Sequence, residues 1–202
     1  MRNLFGFIFL ILCLQISIVA DEFDFKDPKG VQSISFALNS KMEPLNGLGS
    51  GITGKVNFDG KDFKSLKGKI SLDVKSIYLP NQMMVSKLMA KMWLNVAKNP
   101  SIDINFKSVE SVKKISDSEA NLKVKCEISI KGVKKVQIID VHVAYHLDGM
   151  GNRIQKKKGD LLVLKSKFSI LRSDFGIMKG KYLSVVANKI EIQANLVGSL
   201  FK

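Results

Sequence analysis

The sequence predicts a mainly β protein: a closed antiparallel barrel of about eight strands, apolar face inward, with one capping α-helix. Three observations carry this expectation. Apolar and polar residues alternate with period two along segment after segment. The connections between these segments are short and rich in Gly and Asp, as antiparallel neighbours require. A single segment has helical spacing, which is too little to lay a second layer on such a sheet.

The clearest strand is 121–131, where Leu122, Val124, Cys126, Ile128 and Ile130 share one face and Lys123, Lys125, Glu127, Ser129 and Lys131 the other. Beyond Gly132 the pattern resumes through 133–147, with Val141, Val143, Tyr145 and Leu147 opposite Asp140, His142 and His146. Similar runs are Ile34-Phe36-Leu38, Ile70-Leu72-Val74, Ile102-Ile104-Phe106, Leu164-Ser166-Phe168-Ile170 and Ile190-Ile192-Ala194-Leu196, and 51–58 reads as a weaker strand. Segments 47–54, 59–60, 148–152 and 156–160 read as turns. The helix is expected over about 81–97, opened by Pro80 and ended before Pro100. Val85, Leu88, Met89, Met92 and Trp93 recur at helical spacing on it, and they serve equally as core or as the wall of an apolar pocket.

Alternation alone leaves two barrels open. An outer-membrane barrel would turn the apolar face to lipid and the lysines into the lumen. A narrow lumen must pair its charges, and the Lys-rich faces here lack matching carboxylates; with one Trp and three Tyr there is also no aromatic girdle. The apolar face is therefore expected inside, where eight strands leave room for packed side chains or one small ligand.

At the N-terminus, Arg2, the apolar run Leu4–Leu14 and a polar stretch ending at Ala20 follow the order of a secretory signal. The expected organisation is a leader over 1–20, cleaved after Ala20, and one domain over 21–202 in the periplasm or outside the cell. Ile18 is larger than cleavage prefers, and an uncleaved anchor is the alternative; the apolar run is short of the ~20 residues that span a bilayer. Removing Cys13 leaves Cys126 alone, on the apolar side of its strand, as a buried hydrophobe or a reactive thiol.

The chain carries 32 Lys and Arg against 18 Asp and Glu, a formal net charge of +14, and only Arg2, Arg153 and Arg172 are Arg. Nucleic-acid readers favour planar Arg forks with interleaved aromatics, so nucleic acid is not an expected partner. Lysines along strand exteriors keep the barrel soluble and favour peripheral contact with an anionic membrane surface.

Motifs for chemistry are weak. The segment from Gly49 to Lys55 matches most of a phosphate-binding loop, but Val56 stands where Ser or Thr should, and a strand follows in place of a helix. His142 and His146 would lie ~13 Å apart on one strand, too far to share a metal. Asp140 and His142 are the nearest thing to an acid–base pair, ranked below binding; no catalytic residue and no metal site are assigned. Arg172-Ser173-Asp174-Phe175-Gly176 reads locally as an Asx-type turn with an Arg–Asp ion pair.

That segment, with its flanks Ile170, Leu171 and Ile177, closely resembles the N-R-S-D-F-G-I signature of the YceI-like family of polyisoprenoid-binding proteins. Residues 128–135 are similar to the family's L-T-I-H-G-V-T-K. Leu88-Met89, Trp93-Leu94, Lys98 and Pro100 resemble its helix and following K-x-P, with Phe106-Lys107-Ser108 after it, and 31–36 resembles its opening strand. Lys131 stands in place of the usual His, Leu171 of Asn and Gln32 of another His, so no polar head-group contact carries over at these positions.

The resemblance implies an extended, lipocalin-like eight-stranded barrel whose interior holds a polyisoprenoid or quinone-like lipid. It implies no cofactor beyond such a ligand and no catalytic residue. The expected ligand wall is Phe36, Leu38, Val124, Ile128, Val143, Phe168 and Ile170, with Met89 and Trp93 near the entrance and Arg172, Ser173, Asp174, Phe175 and Gly176 as family motif. Self-association into a homodimer is left open.

Overall fold

Eleven β segments build eight staves of a closed antiparallel barrel. The computed structural model describes residues 20–202; the expected leader, but for Ala20, lies outside the described residues. The segments are β1 (Asp21–Asp24), β2 (Ser33–Leu38), β3 (Leu45–Gly49), β4 (Ile52–Phe58), β5 (Lys67–Asp73), β6 (Ile77–Tyr78), β7 (Ser101–Lys114), β8 (Glu119–Ile130), β9 (Val133–His146), β10 (Gly159–Leu171) and β11 (Lys189–Phe201). β1 and β2 share one stave, β3 and β4 a second, β5 and β6 a third. The staves follow chain order around the ring, which closes where β11 pairs with β1 (Asp24↔Ser199) and with β2 (Ile192↔Phe36).

Several staves are long. β7 and β9 have 14 residues each, a run of ~46 Å at ~3.3 Å per residue. Two register shifts in β7, between Phe106 and Ser108 and between Val109 and Ser111, bend it around the barrel. The break between β1 and β2 would leave β11 without a partner at Val197. The Gln32 amide fills it, donating from Nε2 to the Val197 carbonyl (2.9 Å) and accepting from the Val197 N–H at Oε1 (2.8 Å).

The apolar sides of the staves face in, and lysines such as Lys69 and Lys123 face out. Val124, Ile128 and Val143 are buried, while Lys123 pairs with Asp140 (2.9 Å) and Lys69 with Asp103 (3.1 Å) on the outer wall. This arrangement is the reverse of an outer-membrane barrel, whose outer wall is apolar.

Three local expectations are corrected. The helix α1 covers only Gln82–Met89, capped by Asn81, whose Oδ1 accepts from the Met83 and Met84 N–H groups. Ala90 is extended and Asn95 has φ 52°, so the chain turns back and buries Leu94 where a continuous helix to 97 would leave it outside; Met92 ends up exposed. Tertiary burial overrides helix propensity at this point. Segment 47–54 is not a turn but the junction of β3 and β4, kinked at Ser50 and Gly51. Asp160 belongs to β10 and is 1% exposed.

The base of the barrel is plugged by aromatic rings. Phe58 packs against Phe63 (5.6 Å between ring centres) and edge-on to Tyr145 (5.8 Å), which also meets Phe23 edge-on (6.3 Å). The Tyr145 hydroxyl donates to Asp160 (2.8 Å), which also accepts from the Asp148 N–H and the Lys202 ammonium, each at 2.8 Å. Burial works to raise the Asp160 pKa, but the Lys202, Asp148 and Tyr145 hydrogen bonds outweigh it and hold the carboxyl below its ordinary 3.8.

A carboxyl whose folded pKa lies below its unfolded value contributes stability above the unfolded pKa, and loses it as pH falls through the folded value. The urea midpoint is therefore expected to drop as pH falls below 3.8. Asp160→Asn should lower the midpoint at neutral pH and flatten that acid dependence; an unchanged acid slope in the variant would assign the dependence to other carboxyls.

Candidate functional site

Burial inside the barrel is uneven. Near the base, Ala120, Leu122, Val143 and Leu162 are fully buried. Toward the other end, inward positions on the same alternation, Ile34, Phe36, Ile104, Phe168, Ile192 and Ala194, are only half-buried although they pack against the core. They cluster on β2, β10 and β11, with Ile104 on β7, while Ile128, Ile130 and Ile170 toward the same end are buried. Gly47 helps to shape the interior: a Cβ there would lie 2.3 Å from the Phe36 ring, so only glycine lets that ring rest against β3.

Three elements converge on the top. The first is α1 with the turn after it, whose Leu88, Met89, Trp93 and Val96 pack against the core. The second is the two-residue connection between β8 and β9, where Lys131 (φ 53°) and Gly132 (φ 77°) both take left-handed conformations, as a type I′ hairpin turn requires. The third is the long connection 172–188 between β10 and β11. Lys131 links all three, its Nζ donating to the carbonyls of Met92 (2.9 Å) and Gly176 (3.0 Å). Burial lowers the Lys131 pKa from its usual 10.5.

Arg172 organises the third element. It is 0% exposed, and its five N–H groups make five bonds to carbonyls. Nε donates to Ala187 (3.1 Å), one terminal nitrogen to Ile177 (3.0 Å) and Met178 (2.8 Å), and the other to Lys181 (2.7 Å) and Val186 (3.3 Å). The expected Arg172–Asp174 ion pair is therefore corrected: Asp174 is exposed, and backbone dipoles take the place of a carboxylate. Ser173 exchanges hydrogen bonds with Asn188 (3.1 and 3.0 Å). Phe175 is buried, and Gly176 (φ 65°) closes the turn with its N–H on Ser173.

The expected wall residues fall into two groups. Phe36, Phe168, Met89 and Trp93 lie among the half-buried upper positions. Leu38 and Ile170 are buried near the top, and Val124, Ile128 and Val143 are fully enclosed in the core. Sequence reading passed over Ile34, Ile104, Ile192 and Ala194 as wall, although their alternation puts them on the same face as Phe36 and Phe168. Their strands were legible; which end of each strand would be sealed was not.

Elsewhere the side chains have other partners. Asp140 pairs with Lys123 on the outer wall, and His142 contacts Asn121 (3.0 Å) and Glu119 (2.9 Å) there. The Cys126 thiol is buried, which pushes its pKa up to about 12 and leaves it unreactive at neutral pH. A cavity of about 380 Å³ lies across β2, β3, β6 and β11, lined by Phe36, Gly47 and Ile192 together with the outward Ser35, Tyr78 and Gln193.

Comparison with known proteins places these features. The model of the YceI-like domain matches residues 27–198. No curated protein sequence matches the chain. Among solved structures the chain is similar to BcnA of Burkholderia cenocepacia (TM-score 0.64, 20% identity, 82% of this chain and 95% of that one). It is also similar to a YCEI protein of Campylobacter jejuni (0.61, 18%, 77% and 85%). A polyisoprenoid binding domain from Saccharophagus degradans, implicated in plant cell wall breakdown, has the same fold (0.63, 11%, 90% and 98%).

The Arg172 cradle can be tested directly. Arg172→Lys keeps the charge but supplies three donors for five acceptors, and each orphaned buried carbonyl costs ~1–3 kcal/mol. Its unfolding free energy in urea should fall by several kcal/mol, whereas Asp174→Asn should leave it unchanged. Equal losses in the two variants would restore the Arg–Asp pair as the stabilising contact.

Proposed function

This chain belongs to the YceI-like domain family, and on that basis we propose that it is an exported carrier holding one long apolar molecule inside the barrel. The ligand class is a polyisoprenoid or a related lipid, a quinone with an isoprenoid tail included. The observation that carries this reading is the apolar interior: an aromatic plug at the base, and inward Phe36, Ile104, Phe168 and Ile192 left half-buried above it.

The physics favours a long chain over a compact ligand. Each methylene removed from water contributes ~0.8 kcal/mol, so affinity grows with the length of chain that the long staves can enclose. An apolar wall reads length and bulk rather than hydrogen-bonding groups, and it needs no charged group in the lumen. Binding without turnover agrees with the outward placement of Asp140 and His142, each held by other partners. Export rests on the leader-like residues 1–20, and a periplasmic site would put the protein beside membranes that hold such lipids.

The test is extraction of the protein purified from its own periplasm, with native mass spectrometry beside it. A stoichiometric prenyl lipid is expected, together with a rise in melting temperature when a prenylated quinone is added to stripped protein. Phe168→Asp should remove both signals. Absence of bound lipid from native protein, together with unchanged melting, would sink the proposal.

A further inference from the structure

One stretch of the barrel wall is not sewn up. β10 pairs with β11 along all of Gly159–Leu171, but with β9 only from Leu161↔His146 to Ser166↔Val141. Above that point β9 continues up to Val133 with β8 as its ladder partner, and β10 up to Leu171 with β11. Between the separating strands stands one side-chain bridge, Gln137 Nε2 donating to the Ser169 carbonyl (3.2 Å). The seam is closed below by the ladder at Val141 and Ser166. It is closed above by the turn Arg172–Phe175, which packs on β9, and by the Lys131 bond to Gly176. Inward Phe168 and Ile170 lie directly behind it.

The outer lips have a composition of their own. Val136 is 58% exposed, Ile138 56% and Leu171 43%, apolar side chains on an otherwise Lys-rich wall. Lys165 and Lys167 flank them on β10, while on β9 Lys134 pairs with Glu127 (3.4 Å) and Lys135 stands opposite the inward Ile128. The nearby carboxylates of Glu127 and Asp140 are already paired with lysines. Apolar side chains that can enter a bilayer surface, beside Lys165 and Lys167 that have no carboxylate partner among the described residues, suit anionic lipid head groups. A second copy of the chain would bring the same lysines against one another.

We propose that the β9–β10 seam is a lateral portal that docks on an anionic membrane and passes the lipid tail between bilayer and lumen. The proposal rests on the carrier reading above and adds a route and a partner to it. Parting the strands there breaks one side-chain hydrogen bond, where parting them lower down would break a backbone ladder.

The test uses vesicles of phosphatidylglycerol and phosphatidylcholine, with or without a prenylated quinone, against vesicles of phosphatidylcholine alone. The wild type should float with the anionic vesicles only and take up quinone from them. Val136→Ser with Ile138→Ser, and separately Lys165→Glu with Lys167→Glu, should each slow uptake about tenfold or more and reduce flotation. Both should keep the full capacity for quinone delivered from detergent. Met83→Ser with Met92→Ser, on the exposed side of the helical cap, should take up quinone at the wild-type rate.

Seam variants as fast as the wild type, with the cap variant slow, would overturn the portal and make the top the route. Equal flotation on neutral vesicles would overturn the anionic partner, and a wild-type dimer that the seam variants break would give the strand edges to a second copy. If no form binds quinone from detergent, the carrier reading fails, and flotation alone still decides the docking surface.

Discussion

A single guanidinium holds the top of this barrel in shape. Arg172 is buried without a carboxylate, which would cost several kcal/mol if its charge were left uncompensated. Five carbonyls from residues 177–187 supply the compensation, one for each N–H. A connection that contains Met178 and Tyr182 at positive φ is folded around this one side chain. Lys131 then joins the connection to the helical cap, because the Gly176 carbonyl it uses lies just beyond the Arg172 turn. The most recognisable string in the sequence thus shapes the top of the barrel through hydrogen bonds to the backbone.

The two ends of the barrel follow different physics. At the base, packed rings and a hydrogen-bonded Asp160 cluster supply stability. At the top, loops and a short helix cover inward residues that remain half-buried, and unburied hydrocarbon is surface that a ligand can cover. Along one side the strands separate, and an amide bridge at Gln137 stands where a ladder has ended. A packed base and half-buried hydrocarbon above it suit the proposed carrier.

Much of this was legible from alternation. Leu122 to Ile130 and Val141 to Tyr145 name their inward faces directly, because a strand offers only two sides. The Lys excess likewise marked the outer wall. The string around Arg172 identified the family, yet its own chemistry was misread, since an Arg two residues before an Asp suggests a local pair. The carbonyls that hold Arg172 lie five to fifteen residues away and come together only when the connection folds back. The helix was overextended for a similar reason: nothing local stops it at Met89, and burial of Leu94 does.

The sequence by itself determined the strand faces, the barrel class, the sign of the outer wall and the family, because each is written in spacing or in a short local string. Tertiary structure alone decided which end is sealed, where the wall parts and what Arg172 binds. Those depend on registers between strands far apart in the chain: the same apolar alternation describes Val143, packed at the base, and Phe168, half-buried above.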